Sequence, residues 1–324
     1  MDQEGGGYDK RTKGGLNMLE PIIYEGGVFK HNLVTELVED LGGYIIQTNF
    51  MQTEVRIQLL CPHEDMSMLE DLAKELRAKI TRAPLTGTDI IVIAPTLAYH
   101  HLPHHACDVA EYMRRFGANT TLIGLARGVG RRIAQISAKE RALADEHDLA
   151  IFTFGNFEDC LTKEKYVLYK DLEVPSIITG TPELIKTPAY AKAYVGGLGR
   201  IAHRLKGENE LAALDKLAEV AGECLDEERL DIAKDPLTIQ PARLMSELKE
   251  QVPAINKSLS PAPITLQLKG ARIKLPYREY KEAIENMTFE EGTTLKEIAD
   301  VLPSYVRDYL VIRILPKSVT GFVM

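Results

Sequence analysis

DIIVIAP, residues 89–95, is the stretch on which the fold turns. It is an unbroken apolar run, closed by a proline and too short for a helix. Such a run is expected of a strand buried on both faces of a parallel sheet. Three later stretches repeat the pattern: TTLIGLA (120–126), LAIFTFG (149–155) and VPSIITG (174–180), with AYVGG (193–197) as a fifth. Helical patterns separate them. One runs from His104 to Phe116. Another runs from Ser137 to His147, where Ser137 and Glu140 have the spacing of a capping box. Repeated βα units predict a doubly wound parallel sheet.

On the N-terminal side the periodicity changes. PIIYEGG reads as a strand. Asn32 to Leu41 places Leu33, Leu37 and Leu41 on one helical face, and Gly42-Gly43 stops that helix. Tyr44 to Thr48 is a strand, and Thr53 to Leu60 alternates Val55, Ile57 and Leu59. Met66 to Ile80 is amphipathic, with a strand near Ala83. This βαββαβ order predicts a ferredoxin-like module over 18–85. Residues 1–17 contain five glycines and no apolar periodicity, and are expected to be a disordered head.

On the C-terminal side, Glu208 to Asp231 reads as a long helix burying Leu211, Leu214, Leu217 and Val220. Residues 236–262 hold four prolines and suggest an extended linker with one helix. Then come strands at ITLQL and RIKLP, helices at Tyr277–Met287 and Leu295–Val301, and a strand at DYLVIRILP. The expected architecture is α/β. A central doubly wound parallel sheet in 86–235 is flanked by the N-terminal ferredoxin-like α+β module and by a linker and small C-terminal α+β cap, 236–324.

Composition narrows the function. The chain has 324 residues and a net charge of −8, with 39 Lys and Arg against 47 Asp and Glu. Neutralising nucleic-acid phosphates needs clustered cations, so generic nucleic-acid binding is not expected. No apolar run reaches the ~18–20 residues of a membrane helix, and no secretory h-region is present. A cytoplasmic protein is expected. Cys61, Cys107, Cys160 and Cys224 include no CxxC pair, which excludes zinc ribbons and ordinary ferredoxin motifs.

The most unusual stretch is YHHLPHHACD, 99–108, which follows the buried strand 89–95 and opens a helix. It holds His100, His101, His104 and His105, with Cys107 two residues on. Strand carboxyl ends are where open α/β sheets bind ligands. Imidazole and thiolate are good ligands for iron, zinc or copper. Cys107 would occupy the first helical turn, where the dipole favours a thiolate. The structural alternative makes Cys107 a buried core residue and the histidines loop polars.

Cys160 ends IFTFGNFEDC, just past the next parallel strand and on the same sheet edge. A half-buried loop cysteine is the alternative. Cys61 and Cys224 read as core residues.

GLARGVGRR, 124–132, adds a third loop there. Gly128 and Gly130 permit close backbone approach, and Arg127, Arg131 and Arg132 supply charge for an anion. GGLGRIAHR, 196–204, is similar. For both, a plain turn with solvated arginines is the alternative. The dinucleotide fingerprint is incomplete, and Walker A, G-x-S-x-G, HExxH and EF-hand motifs are absent.

The run HHLPHHACDVAEYMRRFGANTTLIGLARGVGRRIAQ, with EHDLAIFTFGNFEDC, VPSIITG, GGLGRIAHRL and LSPAPITLQLKGARIKLPY, resembles methanogenesis marker protein 7. That archaeal family is confined to methanogens and close relatives. The resemblance covers Met18 to the C-terminus. The middle of the chain, about 86–200, also resembles protein C of the methyl-coenzyme M reductase operon. The similarity there is a Pro and Cys at a helix opening (Pro103 to Cys107), a glycine loop (124–130) and a strand ending in Gly155-Asn156.

The resemblance implies a role with methyl-coenzyme M reductase, whose nickel tetrapyrrole works as Ni(I) and needs ATP and low-potential electrons to reach it. It implies a non-catalytic accessory subunit of that activation complex, carrying a complex iron–sulfur cluster shared with a partner. Cys107 is the first ligand candidate, then Cys160 and a histidine such as His104 or His100. Implied partners are the reductase, an operon protein C-like subunit, an ATP-binding component and other methanogenesis marker proteins. Two other functions remain open: a metal-free scaffold of that complex, and a mononuclear metal enzyme using ligands such as His100, His104 and Cys107.

Overall fold

The computed structural model describes residues 19–95, 105–125, 135–184, 186–199, 208–260 and 262–324. The N-terminal elements are β1 (Leu19–Gly27), α1 (His31–Asp40), β2 (Tyr44–Met51), β3 (Glu54–Pro62), α2 (Met66–Glu75) and β4 (Lys79–Arg82). The strands form an antiparallel sheet in the order β2-β3-β1-β4. Alternation along β3 buries Val55, Ile57 and Leu59 against the two helices. The buried stripe of α1 is Val34 and Val38. The expected face was Leu33, Leu37 and Leu41, and Leu33 is exposed. Both stripes have helical spacing, so packing against the sheet decided between them.

The central elements are β5 (Asp89–Ala94), α3 (His105–Arg115), β6 (Asn119–Gly124), α4 (Ala138–Asp145), β7 (Leu149–Thr153), β8 (Ser176–Thr179) and β9 (Ala193–Val195). All five strands are parallel, in the order β6-β5-β7-β8-β9. Every residue of β5 and β7 is buried, as their unbroken apolar runs predict. The capping box at α4 is present: Glu140 N–H donates to Ser137 Oγ at 3.2 Å, and Ser137 N–H donates to Glu140 Oε2 at 2.7 Å.

Helix α5 (Glu208–Lys234) then packs back beside α3. Its buried stripe is Leu214, Leu217, Ala218, Ala221 and Leu225, while Leu211, expected inside, is exposed. Residues 236–262, expected as an extended linker with one helix, are packed structure instead. They carry α6 (Pro241–Gln251) and a short α7 (Pro253–Asn256). Leu244, Met245, Leu248 and Ile255 are buried in the C-terminal core. Two of the prolines stand in the first turn of these helices, where proline is tolerated.

The C-terminal elements are β10 (Ile264–Gln267), β11 (Gly270–Ile273), α8 (Tyr277–Glu285), α9 (Leu295–Ile298), β12 (Ala299–Pro303), β13 (Leu310–Ile314) and a short α10 (Lys317–Thr320). The helix expected over Leu295–Val301 stops at Ile298. Ala299 and Val301 instead alternate inward from a strand paired with β13.

This antiparallel sheet is held to the amino edge of the central sheet by buried charge. Asp89 begins β5 and is 1% exposed. Its Oδ2 accepts from Arg272 Nη1 at 2.6 Å and from Gln267 Nε2 at 2.9 Å. Asp148, just before β7, accepts backbone N–H bonds from Asp89 at 2.9 Å and Leu268 at 3.0 Å. Arg313 donates to Gln267 Oε1 at 3.1 Å and to the Glu146 carbonyl at 2.9 Å. Glu146 accepts in turn from Ser304 Oγ at 2.8 Å and Tyr305 N–H at 2.5 Å.

His147 lies inside this network. Its Nδ1–H donates to the Leu143 carbonyl at 2.9 Å, which leaves Nε2 to accept from Arg272 Nη2 at 3.5 Å. Burial, opposed by Asp89, pushes its pKa down to about 4. Burial of Asp148 pushes that carboxyl up to about 7.

Arg272→Met leaves the Asp89 carboxylate buried without its cation and should destabilise the protein by about 3–5 kcal/mol in urea unfolding. His147 has a folded pKa below its unfolded value. The stability this contributes is present above about pH 6.5 and is lost as pH falls towards 4. Asp148 titrates with the opposite sign, so comparison with a variant isolates the imidazole. Wild type should lose on the order of 2 kcal/mol more than His147→Gln between pH 7 and pH 5.

Candidate site at the carboxyl edge of the central sheet

Strands β5 and β7 are neighbours, yet the chain leaves them in opposite directions. From β5 it passes to β6 at one edge, and from β7 to β8 and β9 at the other. Crossovers of one hand therefore put α3 and α4 on opposite faces. Val109 and Met113 of α3 pack with Ile90 and Val92, whereas Ala144 of α4 packs with Ile91 and Ile93. Such a reversal opens a crevice beyond the carboxyl ends of β5 and β7, the place where open α/β sheets take ligands.

The connection from β5 to α3 carries His100, His101 and His104, which lie outside the described residues. So do Arg127, Gly128, Gly130, Arg131 and Arg132 of the β6–α4 connection. The described part of the crevice is the opening of α3 and the loop after β7.

Cys107 is in the first turn of α3 and is exposed. Ala106, Val109, Ala110 and Met113 take the buried face. The core alternative for this cysteine is therefore not what the fold adopts, and its thiol is open to a ligand or partner.

Cys160 is half-buried at the start of a π-helical turn, Cys160–Glu164. Its Sγ donates to Glu164 Oε2 at 3.6 Å. Burial and then the Glu164 carboxylate push the thiol pKa up. A metal ligand needs the thiolate, so this contact opposes ligation. Leu161 anchors the turn on the α4 face, across the sheet from α3. Among the described residues, no three His, Cys, Asp or Glu side chains are grouped to hold a metal ion. The other two cysteines are core residues, as expected. Burial pushes both Cys61 and Cys224 up to about 11.

The loop after β7 is tied to the next strands by close backbone approach. Thr181 N–H donates to the Gly155 carbonyl at 3.3 Å, and Thr181 Oγ1 to Asn156 Oδ1 at 2.7 Å. A Cβ on Gly199 would stand 1.9 Å from Thr181 Oγ1, and Gly197 has φ +77°. The glycines of the 196–199 run are thus needed for packing and a left-handed turn. Arg200, His203 and Arg204 lie outside the described residues.

This side of the crevice is acidic. Glu158, Asp159, Glu164 and Glu183 lie on the two loops after β7 and β8. Asp159 pairs with Lys163 at 2.7 Å. Burial first, then Glu183 and Glu158, pushes the Tyr194 phenol up to about 12. Phe157, in the loop before Cys160, is 75% exposed. Sequence reasoning passed over Phe157 and Glu164. The i, i+4 spacing of Cys160 and Glu164 was the available signal for the second.

The sequence model of the methyl-coenzyme M reductase operon protein C family matches residues 19–287. An uncharacterised protein of Methanocaldococcus jannaschii is 44% identical over 307 residues, which is 95% of this chain and 97% of that protein. Among solved structures, the Vibrio vulnificus NanR protein complexed with ManNAc-6P matches with TM-score 0.22 and 10% identity, over 53% of this chain and 64% of that one. A probable phosphoserine phosphatase from Vibrio cholerae matches with TM-score 0.18 and 10% identity, over 63% of this chain and 88% of that one. These two structural matches are too weak to carry any inference.

In the native protein, Cys107 should react first with a thiol reagent, Cys160 slowly, and Cys61 and Cys224 only on unfolding. Glu164→Gln removes the nearby negative charge and should speed modification of Cys160 several-fold. Timed alkylation with peptide mass spectrometry checks all four sites.

Proposed function

The chain belongs to the methyl-coenzyme M reductase operon protein C family, and from that membership we propose that it is an accessory subunit of the ATP-dependent machinery that reductively activates methyl-coenzyme M reductase. The observation that carries this is the family match across residues 19–287. The 44% identical relative, from a methanogen, supports a role in methanogenesis. ATP would be hydrolysed by a partner, because the chain has no Walker A motif. No described helix is long and apolar enough to cross a membrane.

A complex iron–sulfur cluster would supply low-potential electrons. The described residues do not make a complete site for one. They offer one exposed thiol beside the crevice, Cys107, and a second, Cys160, whose proton is held by Glu164. No electron-transfer step is therefore drawn through this chain alone. In our proposal Cys107 is one terminal ligand at a surface where a partner completes the set. His100 and His104 are the next donors by sequence. Arg127 and Arg131, with Gly128 and Gly130, would add positive potential from the neighbouring loop.

A metal-free scaffold is the second reading. The Cys160–Glu164 contact, which keeps that thiol protonated, favours it.

Anaerobic purification with native partners, with iron and sulfide measured per chain, separates the two. Several irons with matching sulfide, lost in Cys107→Ala while the complex stays intact, are expected. No metal in either sample, in an intact complex, would overturn the ligand role and leave an architectural subunit.

A further inference from the structure

Far from the carboxyl edge, a cleft of about 170 Å³ opens between the N-terminal sheet and the C-terminal unit. Its wall is formed by Ile45, Ile46 and Thr48 of β2, Met245 and Lys249 of α6, and Ile264 at the start of β10. Strands β2 and β10 are each the edge strand of their sheet. The ladder of β2 is also irregular between Ile45 and Gln47, so Ile46 has no partner across β3. The cleft thus combines apolar side chains with backbone that two sheets leave unpaired.

Lys249 is the charged group in that wall. Its Nζ donates one hydrogen bond, to the Ile45 carbonyl at 3.2 Å. An ammonium carries three donors. Among the described residues no carboxylate lies within ion-pair distance of it. Burial pulls its pKa below the ordinary lysine value, and only the more distant Glu39 works against that shift. A half-buried cation beside an open cleft, with donors to spare, is a place where an anion gains strongly.

We propose that this cleft binds a small carboxylate with a short apolar stem, its carboxylate paired with Lys249 Nζ and its stem against Ile45, Met245 and Ile264. Size sets the limit. A cavity of about 150 Å³ accepts a molecule the size of benzene. The ligand therefore has about six heavy atoms, or is the last residue of a peptide ending in a free carboxylate. The site is independent of Cys107 and of the role in reductase activation.

The test uses the full chain and butyrate, with sodium chloride matched in every sample. Butyrate should raise Tm in proportion to its logarithmic concentration and slow trace acetylation of Lys249 several-fold, leaving the exposed Lys74 unchanged. Butyramide, which lacks the charge, should do neither. Lys249→Met should abolish the Tm effect. If that variant fails to fold, the acetylation comparison in wild type still decides. The dipeptide acetyl-Ala-Leu separates the two sources. Stronger protection than butyrate assigns the site to a peptide terminus, and weaker protection to a free small acid. Equal effects of butyrate and butyramide, or undiminished acetylation of Lys249, would overturn the proposal.

Discussion

The carboxylate of Asp89 is the constraint on which the architecture rests. It begins a fully buried strand of the central sheet, where an unpaired charge could not be held. Arg272 and Gln267, both from the C-terminal sheet, satisfy it. Satisfying them in turn brings in Glu146, His147 and Arg313, while Asp148 accepts the backbone N–H of Asp89 itself. Apolar contact alone would let the C-terminal sheet slide along the edge. Directional bonds to a few fixed atoms give it one position.

That arrangement separates the two ends of the central sheet. The amino edge carries the buried polar network and a stabilising role. The carboxyl edge carries the loops that the topology leaves beside the β5/β7 reversal. Cys107, exposed on α3, and the acidic loop after β7 belong to this second end. A subunit that offers a thiol and an exposed aromatic here, on a rigid parallel sheet, is suited to meeting a larger partner. The family relationship supplies the partner's identity as a proposal.

Much of the fold was legible because its central strands are buried on both faces. DIIVIAP and LAIFTFG have no polar side to disguise them, and Ser137 with Glu140 marks a helix start locally. Failures came where two local solutions were equally good. In α1, the Leu33 and Val34 stripes differ by one residue, and only the sheet beneath selects one. Leu211 has the right period but is left exposed on α5. Residues 236–262 looked like a linker because prolines are frequent, yet two prolines start helices. At the candidate site, the His and Cys cluster stood out by density alone. The restraint of Glu164 on Cys160 depends on a π turn that sequence does not announce. The Lys249 cleft was invisible because residues near 46, 249 and 264 meet only after two units pack.

The partner of Asp89 also has a consequence in time. Arg272 lies 183 positions beyond it, and Arg313 lies further still. A ribosome delivers the central sheet long before it delivers the side chains that neutralise its amino edge. Through that interval the nascent α/β portion carries the acids of its amino edge without their bases. Secure folding of the whole chain is thus a late event, completed when the final antiparallel sheet emerges and docks.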